Sequence, residues 1–393
     1  MMRWASTVST EPALENALRD AAATIRGQLG DATPDLVVVF VSHHHGSGFD
    51  RVPAVAAGFG AGVLIGCSAG GVIGGGREVE QLPGVSVTAA VLPDVVLQPF
   101  HLDADVLPAP DDGAAWQDLL GVRAAAQPHF LLLPDPFSFD PEPLLRGLDA
   151  VYPNSRTLGG LASGGRQAGA NALFLGGQTH RAGLVGVALS GNIEVDTIVA
   201  QGCRPIGQPM FITKCQGNLL WELDGIPAVT VLEDLYQGLS RSDQQLAQRS
   251  LFLGIVMNEG RHEYRQGDYL IRNLIGMDAT RGALAIGATL HENSVVQFHL
   301  RDAQTSAEDL DQLLHGYAAS GQAARPHGAL LFSCLGRGSN LYGRPGHDTD
   351  AFRQHLGQIP LGGFFCNGEI GPVHGTTFLH GYTSAFGLFR SRR

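Results

Sequence analysis

Apolar and polar residues follow a recurring order along this chain: a helix, a continuous apolar strand, a polar loop, a short helix, a glycine-rich turn and two further strands. Leu14, Leu18, Ala21, Ile25 and Leu29 recur at helical spacing, with Thr10 placed as cap, Glu11 and Glu15 at the positive end and Gly30 as stop. Residues 36–41 contain no polar side chain, the pattern of a strand buried on both faces. The order returns with a helix over 114–126 and a strand over 130–133. It returns again with a helix in which Thr305 and Glu308 form a capping box, a strand over 329–334 and a helix over 348–356. A fainter fourth copy is read over 229–239, 251–257, 269–274 and 295–300.

Polar loops follow the strands: SHHHGSG at 42–48, PDPFSFD at 134–140 and CLGRGSNLYG at 334–343. Glycine-rich turns follow the second helices: IGCSAGG at 65–71, LGGLASGG at 158–165 and FFCNGEIG at 364–371. Such a period is read as too short for a solenoid and long enough for a layered sheet-and-helix unit. Short connections between strands predict an α+β (mixed α/β) fold with mixed or antiparallel sheets and helices on the outer faces. Two pairs of units predict two lobes, 1–200 and 216–393, joined by a connection over 201–215 where Gly, Pro and polar residues cluster.

Composition narrows the function. Of 393 residues 53 are glycine, roughly twice the usual share, without a three-residue period. The 37 acidic residues outnumber 26 basic ones, for a net charge of −11, and Lys214 is the only lysine. This balance disfavours nucleic acid and anionic membranes as partners. The five cysteines are spread out with no C-x-x-C pair, which predicts reduced thiols in a cytoplasmic protein without a zinc site. The N-terminus is read as leading straight into an acidic helix rather than a signal segment, and no apolar run reaches the roughly 18 residues a membrane helix needs.

Several residue groups carry candidate chemistry. His43 and His44, in a run of three histidines, follow a buried strand where sheets present ligand-binding loops, so contact with a bound small molecule is expected there. Residues 66–70 match G-x-S-x-G, but Val72, Ile73 and the glycines at 74–76 are poor helix formers, so a nucleophile elbow is not expected. Cys67 and Ser68 are read instead as part of a tight turn whose N–H groups face an anion. Cys366, Asn367 and Glu369 form the densest polar cluster, with His374 and His380 close in sequence. Glu369 is placed to accept a ligand ammonium and Arg337 to hold a carboxylate bidentately, while Asn340 and Tyr342 add donors and acceptors. The pair Arg301 and Asp302 is read as ending its strand and bracing the next helix.

The string GFFCNGEIGPV at 363–373, followed by FLHGYTSAFGLF and preceded by CLGRGSNLYG and VQFHLRD, resembles the FIST C-terminal domain. VVVFVSHHHG with IGCSAGGVIG is similar to the FIST N-terminal domain, although Val72 stands where that family often has a glutamate. The resemblance implies a sensory module that binds small ligands such as amino acids, of the kind found in bacterial signalling proteins and eukaryotic F-box proteins. It implies no catalytic residue; some relatives are haem-binding sensors of nitric oxide. The expected function is a non-catalytic, small-ligand-binding regulatory protein without a cofactor, which passes its signal to a separate signalling protein. Haem ligation by a histidine and hydrolysis through Cys366 or Ser68 are the alternatives.

Overall fold

The apolar run becomes the strand Leu36–Ser42, and its residues part to opposite sides. Leu36, Val38 and Phe40 join a core shared by three sheets, while Val37, Val39 and Val41 pack beneath the helix Leu14–Leu29. Burial on both faces is why the run shows no polar alternation. This computed structural model describes residues 1–261, 263–320 and 325–392.

Three six-stranded sheets share one strand order. The first runs Arg3–Ser9, Val85–Val91, Leu36–Ser42, Val63–Ala69, Leu173–Leu175, Gln178–His180. The second runs Val95–Leu102, Leu184–Gly191, His129–Pro134, Thr157–Gly160, Glu369–Val373, Thr376–His380. The third runs Glu194–Ala200, Ser384–Arg390, Gly328–Cys334, Leu361–Cys366, Gly71–Gly74, Arg77–Glu80. In each, the two central strands are parallel and their neighbours antiparallel, as expected of a mixed α+β class. The terminal hairpin of every sheet comes from another third of the chain: residues 71–80 complete the third sheet, 369–380 the second and 173–180 the first.

That exchange of hairpins sets the division of the chain. One compact unit comprises residues 1–199, 312–379 and 383–393, and the other residues 200–311 with 380–382. The boundaries at 1–200 and 216–393 do not coincide with these units, because strand pairing ties Leu361–Cys366 of the third sheet to the hairpin at 71–80. The stretch 201–215, expected as a connection, lies almost wholly in the strand Cys203–Gln216. That strand pairs with both Val295–Arg301 and Leu219–Leu223 in a seven-stranded sheet of the second unit, one face of which packs on the helices Ala228–Gly238 and Arg241–Ser250 through Leu253, Val296, Phe298 and Leu300.

Local differences have local causes. Residues 3–9 form a strand, where a helix alone was expected, because Ala5 and Trp4 find partners on Val85–Val91. The first helix begins at Leu14 with Ala13 as a cap that makes no side-chain bond, so Thr10 is not its cap. At the helix Ala303–Ala319, Asp302 accepts from the Thr305 N–H at 2.7 Å and from its hydroxyl at 3.0 Å; Thr305 is the capped residue. The helix expected over 114–126 ends at Leu120, where Gly121 turns left-handed. Among the described residues no helix is long and apolar enough to cross a membrane.

Glycine is required at one position in each sheet. Gly66, Gly159 and Gly363 pair with Val39, Leu132 and Leu331 on the neighbouring parallel strand. A Cβ at any of the three would lie 1.9 Å from that partner's carbonyl oxygen. The two parallel strands therefore approach more closely there than any side chain permits.

Candidate functional site

The three polar loops leave the carboxyl ends of Leu36–Ser42, His129–Pro134 and Gly328–Cys334, where sheets of this kind present binding groups. The turns beside them are tied together by hydrogen bonds. Ser163 donates its N–H to the Ser68 carbonyl at 3.1 Å and its hydroxyl to the Phe365 carbonyl, and it accepts from the Gly70 N–H at 2.8 Å. Asn367 donates its N–H to the Leu161 carbonyl at 3.2 Å and its Nδ2 to the Ala162 carbonyl at 3.3 Å. The Leu335 N–H bonds to the Cys366 carbonyl at 3.0 Å. All three thirds of the chain meet in this girdle.

Of the residues singled out from sequence, His43, His44, Asn340 and Asn367 are exposed around it. The rings of His43 and His44 stack with centroids 4.1 Å apart, and His43 lies against Gly164. Burial, then the neighbouring His43, lowers the pKa of His44, so at neutral pH it offers an uncharged donor and acceptor. Asn340 Nδ2 reaches the Leu335 carbonyl at 3.4 Å. The sequence reading missed Phe137, 44% exposed on the loop 134–140 while Phe139 turns inward. The alternation of that loop, F-S-F, was the available signal.

Arg337 lies deeper, fully buried. Its Nε and Nη2 donate to the two carboxylate oxygens of Asp348 at 2.9 and 3.1 Å, and Nη2 also donates to the Tyr342 hydroxyl at 2.6 Å. The carboxylate it holds is thus the chain's own, and Nη1 alone is buried without a hydrogen bond. Burial works against both charges, but the pair outweighs it: Arg337 is held above its usual pKa and Asp348 well below the carboxylate range. Ser384 and Ser333 donate to Asp348 as well, and the Ser333 carbonyl accepts from the Cys366 thiol at 3.3 Å. Glu369, fully buried, accepts from the Thr383 N–H and hydroxyl at 3.0 and 2.8 Å and from the Cys366 thiol at 3.5 Å. Arg337, Cys366 and Glu369 therefore belong to one buried polar chain. His380 is buried in the segment of the second unit, 380–382.

Asp348 also acts on Glu78. Glu78 caps the helix His347–Leu356 by accepting from the Thr349 and Gly346 N–H groups at 2.9 and 3.0 Å. Burial first, then the charge of Asp348, pushes its pKa up to about 7 against those bonds. In the unfolded chain the carboxyl ionises near 4.5, so the native state holds the extra proton between these values. Stability from this group is full below pH 4.5 and declines as pH rises toward 7. Glu78→Gln is expected to flatten that decline in urea midpoints measured from pH 4.5 to 8; an unchanged slope would place the proton elsewhere.

Family models for the FIST N domain and the FIST C domain match residues 35–226 and 228–372. The chain belongs to the FIST family. An uncharacterized protein of Mycobacterium tuberculosis is 40% identical over 389 residues, 99% of this chain and 100% of that one. An uncharacterized protein of Mycobacterium bovis is 36% identical over 99% of both chains. F-box only protein 22 of Homo sapiens is 49% identical over 43 residues, 11% of each. The solved structure of a cyanuric acid hydrolase from A. caulinodans covers 100% of this chain and 99% of its own at a TM-score of 0.30 and 9% identity, too little to bear on function.

FIST domains are associated with small-ligand sensing, and the buried residues here are consistent with a framework for that task. The Ser68 hydroxyl donates to Asn171 Oδ1 at 3.3 Å and accepts the Ala172 N–H at 3.1 Å; its partner is an amide and not a base. Asn171 in turn donates to Asp135 at 2.9 Å. Cys67 is enclosed in the three-sheet core, and burial raises its thiol pKa; burial and then Glu369 do the same for Cys366. Among the described residues no three His, Cys, Asp or Glu are placed to hold a metal ion.

Proposed function

We propose that this FIST protein is a non-catalytic sensor whose small ligand, an amino acid or related metabolite, sits over the girdle where the three loops meet. One observation carries the reading: His43, His44, Asn340 and Asn367 are exposed around turns that are themselves locked by hydrogen bonds. Exposed donors and acceptors on a rigid base are what a specific small-molecule site needs, since little ordering entropy is lost on binding. The signal then passes to a separate signalling protein that responds to the liganded loops.

Native mass spectrometry of the purified chain, followed by calorimetry with amino acids and related metabolites, tests this. A ligand bound by the intact chain is expected to lose at least 10-fold in affinity in Asn367→Ala and in His43→Ala, with the unfolding temperature of both unliganded variants within about 2 °C of the parent. Retention of full affinity by both variants would show that the ligand lies elsewhere.

A further inference from the structure

The second unit contains an arginine that sequence reasoning assigned to the end of a strand. In Val295–Arg301 the side chains alternate: Val296, Phe298 and Leu300 enter the apolar core under the helices, while Gln297, His299 and Arg301 take the opposite face. On that face Arg301 pairs across to Cys203, and His299 pairs to Phe252. Arg301 is 6% exposed, and both its Nε and its Nη2 are buried without a hydrogen-bond partner. Among the described residues no acid pairs with it: Asp302 is engaged by Arg204 at 3.2 Å, and what Arg301 does meet is the Tyr382 ring, 5.0 Å from guanidinium carbon to centroid.

Three other arginines show what that edge of a guanidinium does in this protein. Arg337 and Arg390 each use Nε and Nη2 to grip both oxygens of one carboxylate, Asp348 and Asp196, at 2.9 to 3.2 Å. Arg204 uses the same two nitrogens on two carboxylates, Asp302 and Asp243. Arg301 carries the same edge, its guanidinium over the Tyr382 ring, with no acid among the described residues against it. A buried unpaired charge costs several kcal/mol, and proteins rarely retain one without use.

The surroundings specify the ligand. Tyr382 packs on Phe252 with ring centroids 4.3 Å apart, and Tyr269 and Tyr264 complete an aromatic wall. His299 is buried against Tyr269, its centroid 4.6 Å away, and a Cβ on Gly254 would come 2.4 Å from its ring. Burial lowers the pKa of His299 to about 4, so Arg301 is the single cation that the ladder residues Gln297, His299 and Arg301 put on this face. We infer that Arg301 is the anchor of a second ligand site, one that takes the carboxylate of a small, flat, largely apolar organic acid, its body lying along Tyr382 and Phe252. The site stands on residues of the second unit alone and does not depend on the loop girdle.

Benzoate and inorganic phosphate, each titrated into the full chain at constant ionic strength and followed by ligand NMR and calorimetry, test this. Benzoate is expected to bind and to lose at least 10-fold in affinity in Arg301→Gln, while the unfolding temperature of that variant without ligand equals or exceeds that of the parent. Arg301→Lys, which keeps the charge but not the fork, is expected to weaken benzoate at least 5-fold and decides the matter should the glutamine variant fail to fold. Absence of benzoate binding, equal affinity in parent and variants, or preference for phosphate over benzoate would each overturn the assignment.

Discussion

Asp348→Ala is expected to lower the unfolding free energy by about 3–5 kcal/mol, the largest effect of any single side-chain truncation at the buried polar chain. The cause is less the lost attraction than what remains. Arg337 is fully buried, and without Asp348 its charge keeps only the Tyr342 hydroxyl as hydrogen-bond partner. Replacing both members, as in Arg337→Met with Asp348→Leu, removes the stranded charge and is expected to recover most of the loss, because well-packed apolar groups substitute for a buried ion pair at little cost. Urea unfolding of the two single variants and the double variant gives the coupling directly. A loss under about 1 kcal/mol in Asp348→Ala would mean that water reaches Arg337 and that the loop is not held by this pair.

Gly363→Ala is expected to abolish stable folding or to cost at least about 4 kcal/mol. The added carbon would meet the Leu331 carbonyl at 1.9 Å, with the Leu331 N and C atoms within 2.9 Å, all of them main-chain atoms that have no rotamer to yield. Relief requires Leu361–Cys366 to move off Gly328–Cys334, which breaks the ladder that carries Cys366 and the girdle. Gly27→Ala is the matched control: Gly27 sits inside the helix Leu14–Leu29 with nothing within 4 Å of a new Cβ, and a gain of about 0.5–1 kcal/mol is expected there. Soluble yield and thermal unfolding of the two variants separate close approach from a general intolerance of alanine.

Much of this was legible in the sequence where the signal is local. The run at 36–41 and the leucines at 131–133 announce strands buried on both sides, whereas Gly66 with Cys67 and Ser68, Gly159 and Gly363, read as belonging to glycine-rich turns, stand inside strands that lie parallel against their neighbours. The exposed histidines and asparagines of the girdle could be picked out because a polar loop after an apolar strand has few structural duties. The identity of a partner was not legible. Arg337 looked like a ligand's carboxylate anchor because Asp348, eleven residues later, carries no pattern that says its helix starts against the same loop. Glu369 looked like an ammonium acceptor for the same reason, since Thr383 bonds to it only once two strands have paired. The pair Arg301 and Asp302 does end its strand and brace the next helix, with Asp302 capping it, but the burial of Arg301 without a hydrogen bond at Nε and Nη2 follows from strand alternation and carries no local signal.

The compact units are discontinuous in sequence for a related reason, since periodicity identifies a strand but not the sheet it will join. The exchanged hairpins carry a further consequence, for the order of events at the ribosome. Residues 71–80 emerge early, yet the strand they pair with, Leu361–Cys366, follows some 280 residues later. At roughly 5–20 residues per second, the nascent chain carries that hairpin without its Leu361–Cys366 partner for about 15–60 s. The hairpin at 71–80, inside the segment matched by the FIST N domain, therefore takes its place in the third sheet only once Leu361–Cys366 has been made.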